Sequence, residues 1–260
     1  MTETVVILGA GAGFGLAIAR AFGQQGQHPV LVARNENRLQ QMSDDLRNDG
    51  ITADWLAADA GDANQTNAMF NQIMQRWGIP QTFVYNVADT SLDDPLTTPT
   101  ERIARSFDLN VLGAIRTARQ FIALAPRDSS RNILITGGGA ALNPTKDTTT
   151  LSLTKAALRS YTQSLAAELA GTGIYVGLIT IQGISDTSEA MAPKNVAQTY
   201  VQAAAERQHS EIRYPAGEQS TSEFDDLKAL VNEPTKLQAF LKDHPGAADF
   251  LRKHPNFLQK

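Results

Sequence analysis

Apolar and polar positions follow two recurring rhythms along the chain. Short continuous apolar runs at 4–9, 29–33, 52–58, 81–86, 131–136 and 174–181, with a weaker one at 211–214, have the length of sheet strands. Runs of this kind suit strands covered on both faces. Stretches with a helical period fill 13–25, 36–49, 62–77, 99–124, 150–170 and 193–208. Strands alternating with helices predict an α/β fold, with one doubly wound parallel sheet of about seven strands and right-handed crossovers. Ligands of such a sheet sit at the carboxyl ends of its strands.

The first of those ends is the most informative. Val5 to Leu8 run into glycines at 9, 11, 13 and 15, after which Leu16, Ile18, Ala19 and Phe22 begin a helical pattern. A strand that enters a helix through glycines aims unpaired amides and a positive dipole end at one point, which is a phosphate site. Glycine keeps that approach free of a Cβ. The common G-x-G-x-x-G spacing is absent, because Phe14, Leu16 and Ile18 occupy each possible third position. The spacing present is G-x-x-x-G-x-G, at Gly9, Gly13 and Gly15.

The second run, Pro29 to Ala33, ends on Arg34, with Arg38 one turn later. A nucleotide without a 2′-phosphate usually meets Asp or Glu there, whereas an arginine can pair with that phosphate. The sequence therefore predicts NADP, with NAD less favoured; the alternative is that both arginines are solvated helix-start residues. The third run ends at Asp59, placed for an adenine-edge contact, followed by Ala60, and Asp62 reads as a helix N-cap. The fourth leaves Asn86 at the sheet edge, beneath a polar, turn-rich loop from Asp89 to Pro99.

Composition narrows the partners. A net charge of −4 over 260 residues argues against nucleic acid or an anionic membrane as the main partner. No cysteine is present, so disulfides and thiolate metal sites are excluded. No histidine, carboxylate and cysteine spacing suggests a metal. The start of the chain shows no leader-like segment, and no apolar run approaches the ~20 residues of a membrane span. The expectation is a cytoplasmic protein.

The order of motifs resembles the short-chain dehydrogenase/reductase family over roughly residues 4 to 214. After the glycine turn and Asp59, Tyr85-Asn-Val-Ala88 stands where the family has Asn-Asn-Ala-Gly. Asn110 matches its helix asparagine, Lys155 its active-site lysine, and Ile181-Gln-Gly-Ile184 its Pro-Gly after the sixth strand. The resemblance implies a Rossmann-type domain at 1–214 and a small-molecule substrate of unknown identity. It also implies a homodimer or homotetramer through paired long helices. The implied cofactor-binding set is Gly9, Gly11, Gly13, Phe14, Gly15, Arg34, Asp59, Ala60, Asn86, Lys155 and Gly183.

Two pieces of the family's chemistry are missing. Its proton-transferring tyrosine, four residues before the lysine, is Leu151 here, and its substrate-holding serine falls within Gly137-Gly-Gly139. The implied catalytic set is therefore Asn110 and Lys155, with Thr136 as a substitute hydroxyl. Thr148, Thr149, Thr150, Ser152 and Thr154 add hydroxyls beside Lys155, but an alkyl hydroxyl near ~15.7 is a poor acid. Tyr85 is either a replacement acid or a packing aromatic, and Tyr161 faces the core or an interface. Only Ser185 to Ala192 separate Gly183 from Pro193, a short lid that argues against a preformed closed pocket.

Beyond 214 lies an extension, 215–260, with an imperfect repeat, Phe240-Leu-Lys-Asp-His-Pro245 and Phe250-Leu-Arg-Lys-His-Pro255. It predicts short helices docked on the domain or a partner, or else a mobile appendage. Two functions stand open. One is an atypical NADP(H)-dependent oxidoreductase acting on a small carbonyl/alcohol pair. The other is a non-catalytic NADP(H)-binding redox sensor or regulatory subunit. A methyltransferase would want a carboxylate after the second strand, and Ala33-Arg34 offers none.

Overall fold

The computed structural model describes residues 2–217, 230 and 233–253. The glycine turn joins β1 (Thr4–Leu8) to α1 (Phe14–Gln24), and β2 (His28–Ala33), α2 (Glu36–Asn48), β3 (Asp54–Ala57) and α3 (Ala63–Trp77) follow. Next come β4 (Thr82–Tyr85), α4 (Thr100–Phe107), a π-helical turn (Asp108–Leu112) and α5 (Gly113–Ala123). The chain continues through β5 (Arg131–Thr136), α6 (Thr149–Glu168), β6 (Ile174–Ile181), α7 (Pro193–Glu206) and β7 (Glu211–Tyr214). Two further helices, α8 (Pro234–Asp243) and α9 (Pro245–Lys253), belong to the extension.

All seven strands are parallel, in the order β3-β2-β1-β4-β5-β6-β7. Chain order reverses between β1 and β4, so the crevice for a ligand opens above their carboxyl ends. The period of two in β1 splits its side chains between two cores. Val5 and Ile7 pack with Leu16, Phe22, Leu39 and Tyr200 beneath α1, α2 and α7. Val6 and Leu8 pack with Phe70, Ala118, Phe121 and Leu158 beneath α3, α5 and α6. Covering both faces is what makes the strands read as continuous apolar runs.

The sequence predicts one helix over 99–124, and the structure breaks it. The backbone loosens to a π turn at Asp108–Leu112, which carries Asn110. Single π turns inside α-helices are frequent at functional sites, since an added residue re-aims the side chains beyond it. The third strand is shorter than its apolar run, 54–57 against 52–58.

One buried cation secures the far end of α5. Arg131, 1% exposed, donates from its guanidinium to the carbonyls of Phe121, Ile122, Ala125 and Pro126 at 2.7–3.3 Å and lies over the Phe121 ring. Phe121 and Ile122 belong to the last turn of α5, where a helix runs short of backbone donors, and Ala125 and Pro126 lie just beyond it. Arg131→Met keeps the apolar stem and removes the donors, so it is expected to cost on the order of 2 kcal/mol in a urea melt. A variant as stable as the parent would mean that water satisfies those carbonyls equally well.

The extension is docked on the domain. Leu237, Phe240, Phe250 and Leu251 pack against Ile184, in the loop after β6, as does Leu92, in the loop after β4. Ala247 of α9 is fully buried. Thus the short segment after β6 is not bare, because the helices of the extension lie against it. The His-Pro end of the second repeat, 254–255, lies outside the described residues.

Candidate functional site

The four glycines of the first turn serve different purposes. Gly9 has a φ of +91°, and a Cβ there would fall 2.6 Å from the carbonyl carbon of Asn86. A Cβ on Gly15 would fall 2.8 Å from Cα of Ala10. Both are required by the chain's own close packing. Gly11, by contrast, would point a Cβ into open space, and Gly13 would meet only the Ser185 hydroxyl at 3.6 Å. Gly13 stands at the N-cap of α1 with no side chain capping the helix. A helix N-terminus with its dipole end and an unfilled cradle are the features that receive a phosphate, although the Leu16 amide of that first turn already donates to the Gly11 carbonyl at 2.8 Å.

The carboxyl ends of the other strands converge on that cradle. Arg34 and Arg38 are exposed at the start of α2, whose N-cap is Asn35, accepting from the Arg38 amide at 3.0 Å. Asp59 accepts from the Gly61 amide at 2.9 Å, and Asp62 caps α3 through the amides of Asn64 and Gln65. Those bonds from Gln65 and Asn64 hold the Asp62 carboxyl below its usual range. Ala60 is buried in the same turn. Gly183 follows Gln182, whose amide donates to the carbonyls of Pro215 and Gly217.

Asn86 is the hinge of a hydrogen-bonded chain. Its amide nitrogen donates to the Gly9 carbonyl at 3.0 Å, and its oxygen accepts from the Thr136 hydroxyl at 2.9 Å. Thr136 has a single proton, already given to Asn86, so the Tyr200 hydroxyl must donate to Thr136 across their 2.7 Å contact. The line Tyr200, Thr136, Asn86, Gly9 therefore runs in one direction and fixes the glycine turn from beneath. Thr136, read from the sequence as a substitute substrate-holding hydroxyl, is only 8% exposed and is turned into this line. Tyr200 was not legible as part of the site, because its helix carries no motif.

Lys155 reaches the same point from α6. Its ammonium donates to the Thr136 carbonyl at 2.7 Å, and burial brings its pKa from 10.5 down to about 8. Asn110 is fully buried in the π turn. It donates to the Thr154 hydroxyl at 3.0 Å and the Asp89 carbonyl at 3.2 Å, and it accepts from the Asp89 amide at 2.7 Å. It thus holds the loop over the site. Burial pushes the Asp89 carboxyl up, but bonds from Ser106 and Ser91, with Arg102 nearby, outweigh it and keep the group anionic. Asp89 is a site residue the sequence did not single out; its signal was its place three residues after Asn86.

The candidate acid Tyr85 resolves to its packing alternative. Its ring is 1% exposed in the core on the α5 side, and its hydroxyl donates to the Leu109 carbonyl at 2.5 Å. Burial pushes its pKa further above the ordinary value, away from any acid role near neutrality. Among the hydroxyls beside Lys155, Thr148 and Ser152 contact each other at 3.0 Å, and Thr154 donates to the Leu151 carbonyl. Leu151 is 9% exposed, and a Cβ on Gly138 would lie 3.6 Å from the Lys155 side chain. Tyr161 is half-buried with Arg119, Ile122 and Leu165 along an open groove of about 590 Å³ between α5 and α6. Among the described residues no cluster of His, Asp or Glu could hold a metal, and no helix is long and apolar enough to cross a membrane.

Known proteins resemble this chain in sequence and fold. The family model described as short chain dehydrogenase matches residues 3–198. An uncharacterized oxidoreductase of Staphylococcus epidermidis is 32% identical over 186 residues, covering 71% of this chain and 79% of the relative. Another, from Staphylococcus aureus, is 27% identical over 221 residues, covering 81% and 94%. Among solved structures, an actinorhodin polyketide ketoreductase variant with NADPH superposes with a TM-score of 0.75 at 21% identity, covering 84% of this chain and 98% of that one. A metagenomic short-chain oxidoreductase in complex with NADP gives a TM-score of 0.74 at 24% identity, covering 83% and 98%. At such identities these two likenesses speak for the fold alone. The family match over most of the chain, together with the S. epidermidis relative and the glycine turn, Asn86, Asn110 and Lys155 in their order, makes this chain a member of the short-chain dehydrogenase family.

Proposed function

We propose that the protein is an NADP(H)-binding oxidoreductase whose turnover of a small carbonyl/alcohol pair is slow. The observation that carries the nucleotide half is the open cradle at Gly11 and Gly13, facing the line from Asn86 through Thr136 to Lys155. Gly9, Gly15 and Asn86 shape the turn, and Phe14 opens the helix that presents its amides. Asp59 and Ala60 flank the adenine side, and Gly183 borders the nicotinamide side. When bound, the dinucleotide supplies or accepts a hydride. The chain's own part is to bind, orient and shield: Lys155 holds ribose hydroxyls, and Asn110 fixes the loop at Asp89.

The phosphate on the 2′ position is assigned to Arg34. It is exposed at the carboxyl end of β2, and Ala33 places no carboxylate in competition. The NADPH and NADP in the two solved relatives accord with that choice. Isothermal titration should find NADPH bound more tightly than NADH. Arg34→Ala should erase that preference with adenine binding largely intact. Equal affinities in the parent would overturn the assignment.

The sensor reading draws on one specific observation, that Leu151 and Gly138 leave Lys155 without the family's phenol and hydroxyl. The two readings part in a screen of carbonyl compounds for NADPH oxidation. Brisk turnover on any of them excludes the sensor, and tight binding without turnover across the screen favours it. In either case the assembly is proposed to be a homodimer or homotetramer through α5 and α6, with Leu112, just before α5, and Leu153 of α6 exposed.

A further inference from the structure

The segment just after β6 touches two things at once. On one side, the Ser185 hydroxyl lies 3.6 Å from where a Gly13 Cβ would stand, so it borders the phosphate cradle. On the other side, it is seated against α9. A Cβ on Gly246 would fall 2.2 Å from the Ser185 carbonyl oxygen and 2.6 Å from Cβ of Asp186, so helix and loop meet backbone to backbone. The Gly246 amide, in the first turn of α9, donates to the Asp186 carboxylate at 3.2 Å. Asp186 itself holds a left-handed φ of 62°, a conformation that costs energy for a residue with a Cβ and needs support around it.

Three further contacts make that support. The Asp186 amide donates to Met191, the Thr187 hydroxyl donates to Ile184, and the apolar cluster of Ile184, Leu92, Leu237, Phe240, Phe250 and Leu251 fills the space above. Leu92, from the loop after β4, packs against Ile184 as well, so the two loops meet at the residue that the extension covers.

We propose that α9 is a latch on the nucleotide site: by gripping Ser185 and Asp186 it holds the loop after β6 against the glycine turn and so governs release of the dinucleotide. The proposal rests on the nucleotide reading above. A carboxylate at a helix N-terminus is favoured by the dipole as well as the hydrogen bond. The grip is local, and the two main cores do not depend on it. Gly246 is needed because any side chain there would push α9 off the loop.

The test is NADPH release followed by stopped-flow nicotinamide fluorescence in the full chain. Gly246→Val drives a side chain into Ser185. Asp186→Gly removes the carboxylate while keeping the left-handed backbone accessible. Each is expected to release NADPH about ten-fold faster, the size of one lost charge-assisted hydrogen bond. Bound NADPH should also slow tryptic cleavage at Lys242 in the parent and not in the variants. Release within two-fold of the parent in Asp186→Gly, which has no new bulk to accommodate, overturns the latch while leaving the nucleotide site standing. A parent that binds no NADPH overturns the nucleotide reading, and the latch with it.

Discussion

The double variant Leu151→Tyr with Gly138→Ser is expected to oxidise NADPH on small carbonyl compounds about 10²–10⁴-fold faster than the parent, the usual worth of general acid/base assistance. Position 151 is one helical turn before Lys155 on α6, and Lys155 is fixed by its bond to the Thr136 carbonyl. A phenol introduced there would lie beside a buried ammonium, which favours the phenolate and lowers its pKa toward the working range. Gly138 has room, since a Cβ would make ordinary contact with the Lys155 stem at 3.6 Å. Asn110 and its bonds to Asp89 and Thr154 are intact, so the loop beside the new phenol is already held. The single variants should each give much less, because a phenol without the serine cannot hold the substrate oxygen and a serine alone is too weak an acid. Should the double variant bind NADPH and remain inactive over a broad carbonyl screen, the lost side chains are not what limits the chemistry. The ceiling built by α8, α9 and Ile184 would then be the next region to alter.

The sheet was legible because its strands are covered on both faces: a run such as Val5 to Leu8 has no solvent-facing position to interrupt it. The glycine turn was legible for a related reason, although not the one the sequence suggested. Clearance for a ligand accounts for Gly11 and Gly13, whereas Gly9 and Gly15 are glycines because Asn86 and Ala10 come too close. Sequence alone cannot separate these causes, since the clashing atoms belong to a different strand and to the backbone itself. The π turn at Asn110 was invisible for the same kind of reason. Its residues, Asp108-Leu-Asn-Val-Leu112, fit a helical period as well as their neighbours do, and only tertiary contacts favour the wider turn.

Hydroxyl and phenol roles were the least legible. Thr136 and Tyr85 end adjacent strands, and their sequence positions look equivalent. Pleating then turns them to opposite faces, Thr136 towards Tyr200 of α7 and Tyr85 towards Leu109 above α5. A one-residue difference in register decides which side a strand residue serves. The docking of the extension was half legible. Its repeated Phe-Leu pairs announced an apolar stripe, but the residue that receives it, Ile184, comes from a loop far from it in the chain.

Lys155→Met should make the apoprotein more stable and, at the same time, a poorer binder of NADPH. The ammonium is almost fully buried, has no carboxylate partner in its bonds, and is brought by burial from 10.5 to about 8. At ~1.36 kcal/mol per pH unit, that displacement corresponds to about 3 kcal/mol of desolvation carried by the folded state. The sign follows from linkage. Between about 8 and 10.5 the unfolded chain holds the proton and the folded chain does not, so parent stability rises with pH across that window. The penalty is complete below pH 8 and gone above 10.5. Methionine never carries it, although the Thr136 carbonyl loses its donor, which returns about 1 kcal/mol. Urea melts should therefore find Lys155→Met more stable by about 2 kcal/mol at pH 7, with the gap closing as pH rises and the parent the more stable by about 1 kcal/mol above pH 10.5. NADPH affinity should move the other way, weaker by about 1–3 kcal/mol at pH 7. It should also fall in the parent, and not in the variant, as pH rises through 8. A variant that is both less stable and unaltered in affinity would make Lys155 a packing residue of α6, and the nucleotide site would have to be redrawn without it.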